Sequence, residues 1–354
     1  MKNQDNGKLT IKEIAKRAGV STGTVDRVLH NRGRVSKKTA QLISNIIEES
    51  NFKLNLIASA LAAKKSFQVA CLLPHFDDNN PFWESPYKGM LKAEEEMENF
   101  GITFANHTFN LFDTKSYITK VAEIISDKPD ALVLAPTFAK ESLNITPKLD
   151  KLGIPYMFIN TDSEGHNNIS FIGQDSFAGG YTAGRLMALC LRSGGDCAIM
   201  HIRPNSSNYS ALAERTKGFE KYFSDNNINN KLLSYEIDDI ASTAINKQFE
   251  NIFNNNENLK GVFVPSSRVS VLADNINNSI LKNIDIIGFD TTPPNIASLR
   301  DNKVSFLISQ KSFSQGYKSV IAMCNYLLYN IKPPKKMFSP ILIVSKENVE
   351  SMSG

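Results

Sequence analysis

Only four cysteines occur in 354 residues (Cys71, Cys190, Cys197 and Cys324), none at C-x-x-C spacing, so neither a disulfide framework nor a thiolate zinc site has a pattern behind it. Each lies among apolar neighbours and reads as a small buried hydrophobe. Histidine is as sparse: His30, His75, His107, His166 and His201 never fall at H-E-x-x-H or H-x₃₋₅-H spacing, which leaves a metal without support. No apolar run approaches the roughly 20 residues a membrane helix needs. Residues 1–7 are polar, with no apolar segment or cleavage site behind them, so a cytoplasmic address and no membrane partner are expected. Glycine is missing between Cys71 and Pro81, after the first strand-like run, where a dinucleotide-binding or P-loop enzyme carries its phosphate-cradling glycines. No G-x-S-x-G elbow appears beyond it, so no catalytic centre and no cofactor are expected.

What is present is an ordinary globular composition, 42% apolar and 21% charged, in a chain long enough for about two domains by the usual 100–200 residues each. The net charge of +4 hides a division. Residues 1–65 hold 13 Lys and Arg against 5 Asp and Glu, whereas the rest hold 27 against 31. A small basic module that meets a polyanion, followed by a larger near-neutral one, is the reading of that asymmetry, against the plainer alternative of a solvated basic face.

The basic end opens with a capping box, Thr10-Ile-Lys-Glu13, in which the hydroxyl satisfies a first-turn N–H and the Glu reaches back, so a helix should start at Ile11. Ile11, Ile14, Ala15 and Ala18 share one face, Gly19-Val20 breaks the helix, and Ser21 caps a second one from Thr22 to about Leu29. Two short helices around a Gly-containing turn make a helix-turn-helix. Ser36 caps a third, with Ile43, Ile46 and Ile47 as its apolar stripe.

The order of residues from Leu9 through Ala15-Lys-Arg-Ala-Gly-Val-Ser-Thr-Gly-Thr-Val-Asp-Arg27 to Ser36, and on into Asn55-Leu-Ile-Ala-Ser-Ala-Leu61, closely resembles the headpiece of the LacI family of bacterial repressors. That resemblance implies a headpiece at 1–53 and a hinge helix at 54–65. It places Thr10, Ser21, Thr22, Gly23, Thr24, Asp26, Arg27, Asn31, Arg34 and Ser36, with Asn55, Ala58 and Leu61 of the hinge, at double-stranded DNA. The second helix would lie in the major groove, with Thr22, Gly23 and Arg27 at base-reading positions and Arg27 able to pair with a guanine edge. Asp26 departs from the small hydroxyl residue usual there and either pairs with a nearby Arg or accepts from a cytosine amino group. Leu61 matches the residue that enters a central minor-groove step, with interhelical packing as the alternative. Leu54 stands where the family usually opens its hinge with Pro.

From Phe67 onward short apolar runs, such as Ala131-Leu-Val-Leu-Ala135 and Tyr156-Met-Phe-Ile-Asn160, alternate with amphipathic helical stretches at 87–100, 117–125, 177–191 and 313–329. Continuous apolar strands separated by helices argue for parallel sheets covered on both faces, and about 285 residues exceed one such sheet. The expected fold is a small all-α helix-turn-helix domain followed by α/β, with two doubly wound parallel-sheet lobes. The region resembles the periplasmic sugar-binding-protein fold, which implies three crossings between lobes. They are expected near Gln174-Asp175, Gln310-Lys311 and Lys335-Lys336, giving an effector domain at 66–350 with an N-lobe of 66–174 and 311–335 and a C-lobe of 175–310 and 336–350.

Ligands of open α/β sheets bind beyond the carboxyl ends of the strands, which here means between the lobes. By resemblance, Asn80, Phe82 and Trp83 follow the first strand and offer an aromatic face to a sugar, with a core anchor as the other reading of Trp83. Thr137, Asp162, Asp175, Arg215, Asp290 and Gln310 supply the carboxylates, cation and amides that pair with vicinal hydroxyls. Pro265-Ser-Ser-Arg268 stands where the family often has an Asn-Asp pair, and the added cation Arg268 would suit an anionic sugar. The resemblance implies a homodimer that reads a pseudopalindromic operator under control of a carbohydrate-like effector. A sugar-transport receptor, the rival, is expected to carry a signal peptide in place of the basic headpiece.

Overall fold

A computed structural model describes residues 11–29, 33–49, 66–78, 80–202, 209–237 and 242–352. Thr10, Asn31 and the hinge at 54–65, with Asn55, Ala58 and Leu61, lie outside them, as does the side chain of Asp26.

The N-terminal module is α1 (Ile11–Ala18), α2 (Thr22–Leu29) and α3 (Lys37–Glu49). Gly19 stops α1 in the left-handed conformation, at φ 62°. Ser21 starts α2 by accepting the Thr24 N–H at 3.2 Å, and Ser36 starts α3 by accepting that of Thr39 at 3.1 Å. Ile14, Ala15, Val25 and Ile43 are buried where the helices meet.

The chain then builds β1 (Phe67–Pro74), α4 (Glu84–Met97), β2 (Ile102–Phe109), α5 (Thr114–Ser126), β3 (Ala131–Leu134), α6 (Ala139–Leu152), β4 (Tyr156–Ile159) and β5 (Ser170–Gln174). A second series follows: α7 (Ser176–Cys190), β6 (Asp196–His201), α8 (Ser210–Asp225), β7 (Leu232–Glu236), α9 (Ser242–Asn254), β8 (Leu259–Val264), α10 (Val269–Ala273), α11 (Asn278–Leu281), β9 (Asp285–Phe289), α12 (Pro293–Arg300) and β10 (Phe306–Ser309). It closes with α13 (Ser312–Tyr329), β11 (Lys336–Ser339) and β12 (Leu342–Val344).

These strands form two six-stranded sheets of the same plan, β2-β1-β3-β4-β5-β11 and β7-β6-β8-β9-β10-β12. All described pairings are parallel except that of β12 with β10. In each sheet the strand order reverses beside the first strand, between β1 and β3 and between β6 and β8, and that is where an open sheet leaves a crevice at its carboxyl edge.

The chain changes lobes after β5, around 174–175, and after β10, around 310–311. The third crossing corrects the expected one. Residues 336–339 run parallel to β5, Lys336 beside Phe171 and Ser339 beside Gln174, so they belong to the N-lobe and the switch falls at Pro340-Ile341. The Pro-Pro-Lys-Lys segment before it reads as a linker and hides a short, half-exposed edge strand. Gln174 ties the three crossings together: its Nε2 donates to the carbonyls of Ser309 at 3.2 Å and Pro340 at 3.3 Å.

Each lobe is flanked by a helix pair that crosses on glycine. A Cβ on Gly89 or Gly316 would strike the carbonyls of Phe313 and Pro86, where α4 meets α13. Gly180 and Gly218 are held the same way against Arg215 and Phe177, which fixes α8 on α7.

Candidate functional site

On the headpiece, Ser21, Thr22, Gly23 and Arg27 are exposed, Thr24 is half-buried, and Val25 faces the core, so α2 turns a hydroxyl and guanidinium face outward. Lys12, Lys16, Arg17, Arg34, Lys37 and Lys38 are also exposed, a cationic surface suited to phosphate.

The cleft between the lobes holds a cavity that is open to solvent. Loops at the two switch points build it. Asn80, Phe82 and Trp83 come from the segment after β1 and Thr137 from that after β3; Arg215 comes from α8 after β6, and Ser266, Ser267 and Arg268 from the turn after β8. Asp290 and Gln310 complete it from the ends of β9 and β10. Trp83, 4% exposed, meets Phe82 edge-on at 5.1 Å, and both rings are packed in the N-lobe core while reaching the cavity. The two readings of Trp83 are therefore compatible. Tyr209, at the N-terminus of α8, bridges the lobes by donating its hydroxyl to the Leu111 carbonyl at 3.1 Å.

Two residues play matching parts in the two sheets. Asn160 follows β4 at φ 67° and Asp290 follows β9 at φ 71°, left-handed positions that Asn and Asp tolerate best among side-chain-bearing residues. A buried amide relay joins them across the second crossing. Asn160 Nδ2 donates to Gln310 Oε1 at 3.0 Å, Gln315 Nε2 donates to the same oxygen at 3.1 Å, and Gln310 Nε2 donates to Asp290 Oδ1 at 2.8 Å. Burial raises the Asp290 pKa, while Arg215 and the Gln310 bond pull it back down.

Arg215, 5% exposed, donates from Nη1 to the Pro265 carbonyl at 2.9 Å and lays its guanidinium 3.9 Å from the centre of the Phe289 ring. It lies in the second turn of α8. Three buried polar atoms of cavity-lining residues have no partner among the described residues: Thr137 Oγ1 of the N-lobe, and Arg215 Nε and Ser266 Oγ of the C-lobe. Arg268 is half-buried, 5.5 Å from the centre of the Phe112 ring across the cleft, and burial lowers its pKa against the field of Asp77.

Asp162 and Asp175 line a neighbouring hollow instead. Asp162 pairs with Lys336 at 2.6 Å, and Asp175 caps α7 by accepting the Ala178 N–H at 2.9 Å. Asn160 and Thr161 beside Asp162, Ser266 and Ser267 beside Arg268, and Tyr209 were not among the expected ligand residues, and all five line the cavity.

The fold and its cleft define a two-lobed binding domain preceded by a DNA-reading module. Residues 69–330 match the periplasmic binding protein domain, and residues 10–55 match the lacI family of bacterial regulatory proteins. The transcriptional regulator RegA of Clostridium saccharobutylicum is 23% identical over 97% of this chain and 98% of its own. A ribose operon repressor of Lactococcus lactis is 27% identical over 79% of this chain and 80% of its own. A crystal structure of a Bacteroides fragilis protein assigned to the LacI transcriptional regulators superposes with a TM-score of 0.76 at 24% identity, covering 81% of this chain and 99% of that one. This chain belongs to the LacI family of regulators with a periplasmic-binding-protein effector domain, and it is a DNA-binding transcription regulator.

Proposed function

We propose that this regulator is a repressor whose operator affinity is set by a small carbohydrate bound between the lobes. One observation carries the ligand half of that reading: the unpartnered Thr137, Ser266 and Arg215 atoms belong to both lobes and to one cavity. A buried polar group without a partner costs about 1–3 kcal/mol, so a hydroxyl-bearing ligand that meets all three favours the lobes in this mutual arrangement. The ribose repressor among the relatives makes pentoses the first sugars to test. The DNA half follows from the exposed Thr22, Gly23 and Arg27 on α2. Two headpieces on a two-fold axis read half-sites of a pseudopalindrome, so the working form is a homodimer. A change of lobe angle is the two-state element that couples cleft to headpiece.

Thermal unfolding of the full chain with neutral and acidic sugars tests the reading, since a cleft ligand raises Tm by mass action. The same ligand must then change the affinity for operator DNA in a mobility-shift titration. A sugar panel that moves neither quantity refutes carbohydrate control.

A further inference from the structure

We infer that the effector carries an anionic group, a carboxylate or a phosphate, and that Arg268 and Ser266 receive it. The inference rests on the cleft being the effector site, and it comes from the charge balance of the lining. Among the described residues around the cavity, the charged ones are Arg215, Arg268 and Asp290. Asp290 is already engaged: Gln310 donates to it at 2.8 Å and Arg215 supplies an opposing field. The other two carboxylates expected here, Asp162 and Asp175, are turned to Lys336 and to the start of α7.

Arg268 therefore brings a cation in excess. Asp77, whose field reaches it, is exposed and shares with Arg268 an adjoining hollow, where water screens the attraction. Arg268 is itself half-buried and loses hydration without a carboxylate inside the cavity to compensate. The unpartnered atoms point the same way. Arg215 Nε can only donate, and the Ser266 and Thr137 hydroxyls, which can donate or accept, are able to join it in donating to an anion. A neutral sugar presents hydroxyls that both donate and accept, and leaves the charge of Arg268 unanswered. A carboxylate or phosphate accepts throughout, and its flat or tripod oxygens fit a guanidinium fork.

Isothermal titration of the full chain with matched sets tests this: glucose, glucuronate and glucose 6-phosphate, then ribose and ribose 5-phosphate. The anionic member of a set should bind at least tenfold tighter than its neutral parent, and the acid and phosphate arms tell the two sources apart. Arg268→Gln should remove that advantage, bringing anion and neutral parent to within about twofold of each other, and Arg268→Lys should restore part of it. Unchanged far-UV circular dichroism and unliganded Tm of both variants show that the fold survives. A neutral parent bound as tightly as its anion, or an anion indifferent to Arg268→Gln, overturns the inference and leaves the sugar-binding reading standing. Silence from every probe overturns both.

Discussion

Gln310 is where the relay between the lobes can be cut with least disturbance of packing. It is 2% exposed, and leucine nearly matches its volume, so Gln310→Leu removes three hydrogen bonds and little else. The bond to the Asp290 carboxylate is worth about 1.5–3 kcal/mol and each amide–amide bond about 0.5–1.5 kcal/mol. The Asn160 side chain is left with its 3.5 Å approach to Gln315. The expected loss is about 3–5 kcal/mol, on the order of 10 °C in Tm for a lobe-sized unit.

The deficit must also depend on pH. Burial already holds the Asp290 pKa above its ordinary value, and losing the Gln310 donor raises it further. Between the unfolded and the raised folded pKa the native state binds the extra proton, so its stability falls as pH rises through that window. The cost of Gln310→Leu is therefore full above the variant's folded pKa and shrinks on acidification until the pH reaches the folded pKa of the unsubstituted protein, itself above the ordinary carboxylate value. Urea unfolding at several pH values reads this directly. In an Asp290→Asn background the charge is gone and the same substitution should cost about 1–2 kcal/mol less. A loss under about 1 kcal/mol, or one that is flat with pH, would refute the relay.

Other substitutions separate binding from folding. Thr137→Val deletes a buried hydroxyl that has no partner, so the unliganded protein should gain about 1 kcal/mol in Tm-derived stability while the effector binds about tenfold more weakly by calorimetry. Stability lost with affinity intact would place that hydroxyl in the fold's service. Arg27→Ala, on an exposed position of α2, should lower discrimination between operator and random DNA by about 1–3 kcal/mol per half-site, read by competition binding. Both DNAs should release the protein steeply as salt rises, because phosphate contacts displace counterions. Gly218→Ala drives a Cβ into the Phe177 carbonyl and should cost about 1–3 kcal/mol in unfolding experiments. It should also weaken effector binding, since Arg215 sits one turn away on α8.

The headpiece was legible because its signals are local. A capping hydroxyl at Ser21 or Ser36 and a stop at Gly19 act within four residues, and the helices begin and end where those residues say. Both sheets were legible from their central strands, each of which carries a run of buried apolar residues. The edges were not: β2 carries Asn106, His107 and Thr108 on half-solvated positions, and β11 follows a linker-like Pro-Pro-Lys-Lys. An edge strand is recognised by its partner, β1 or β5, and those partners lie 35 and 165 residues earlier in register.

The site shows the same division more sharply. Of the charged positions that the resemblance implies, Asp290 and Arg215 line the cavity and Asp162 and Asp175 do not, because a carboxylate that caps a helix or pairs with a lysine has the same sequence appearance as one that faces a ligand. Position discriminates where charge does not. In each lobe the side chain at the relay is the first one past a buried run, Asn160 after Ile159 and Asp290 after Phe289, and in each it is left-handed. The backbone of both is held to the neighbouring strand, Asn160 N–H on the Ile172 carbonyl and Asp290 N–H on that of Ile308, both within 2.9 Å. A chain pinned there and turned by positive φ aims that one side chain over the carboxyl edge of the sheet. Two residues later the chain has left the edge, and Asp162 meets Lys336 instead. The same turn in two sheets of the same plan gives the cleft its two-sided symmetry, with Gln310 between the halves as the part they share.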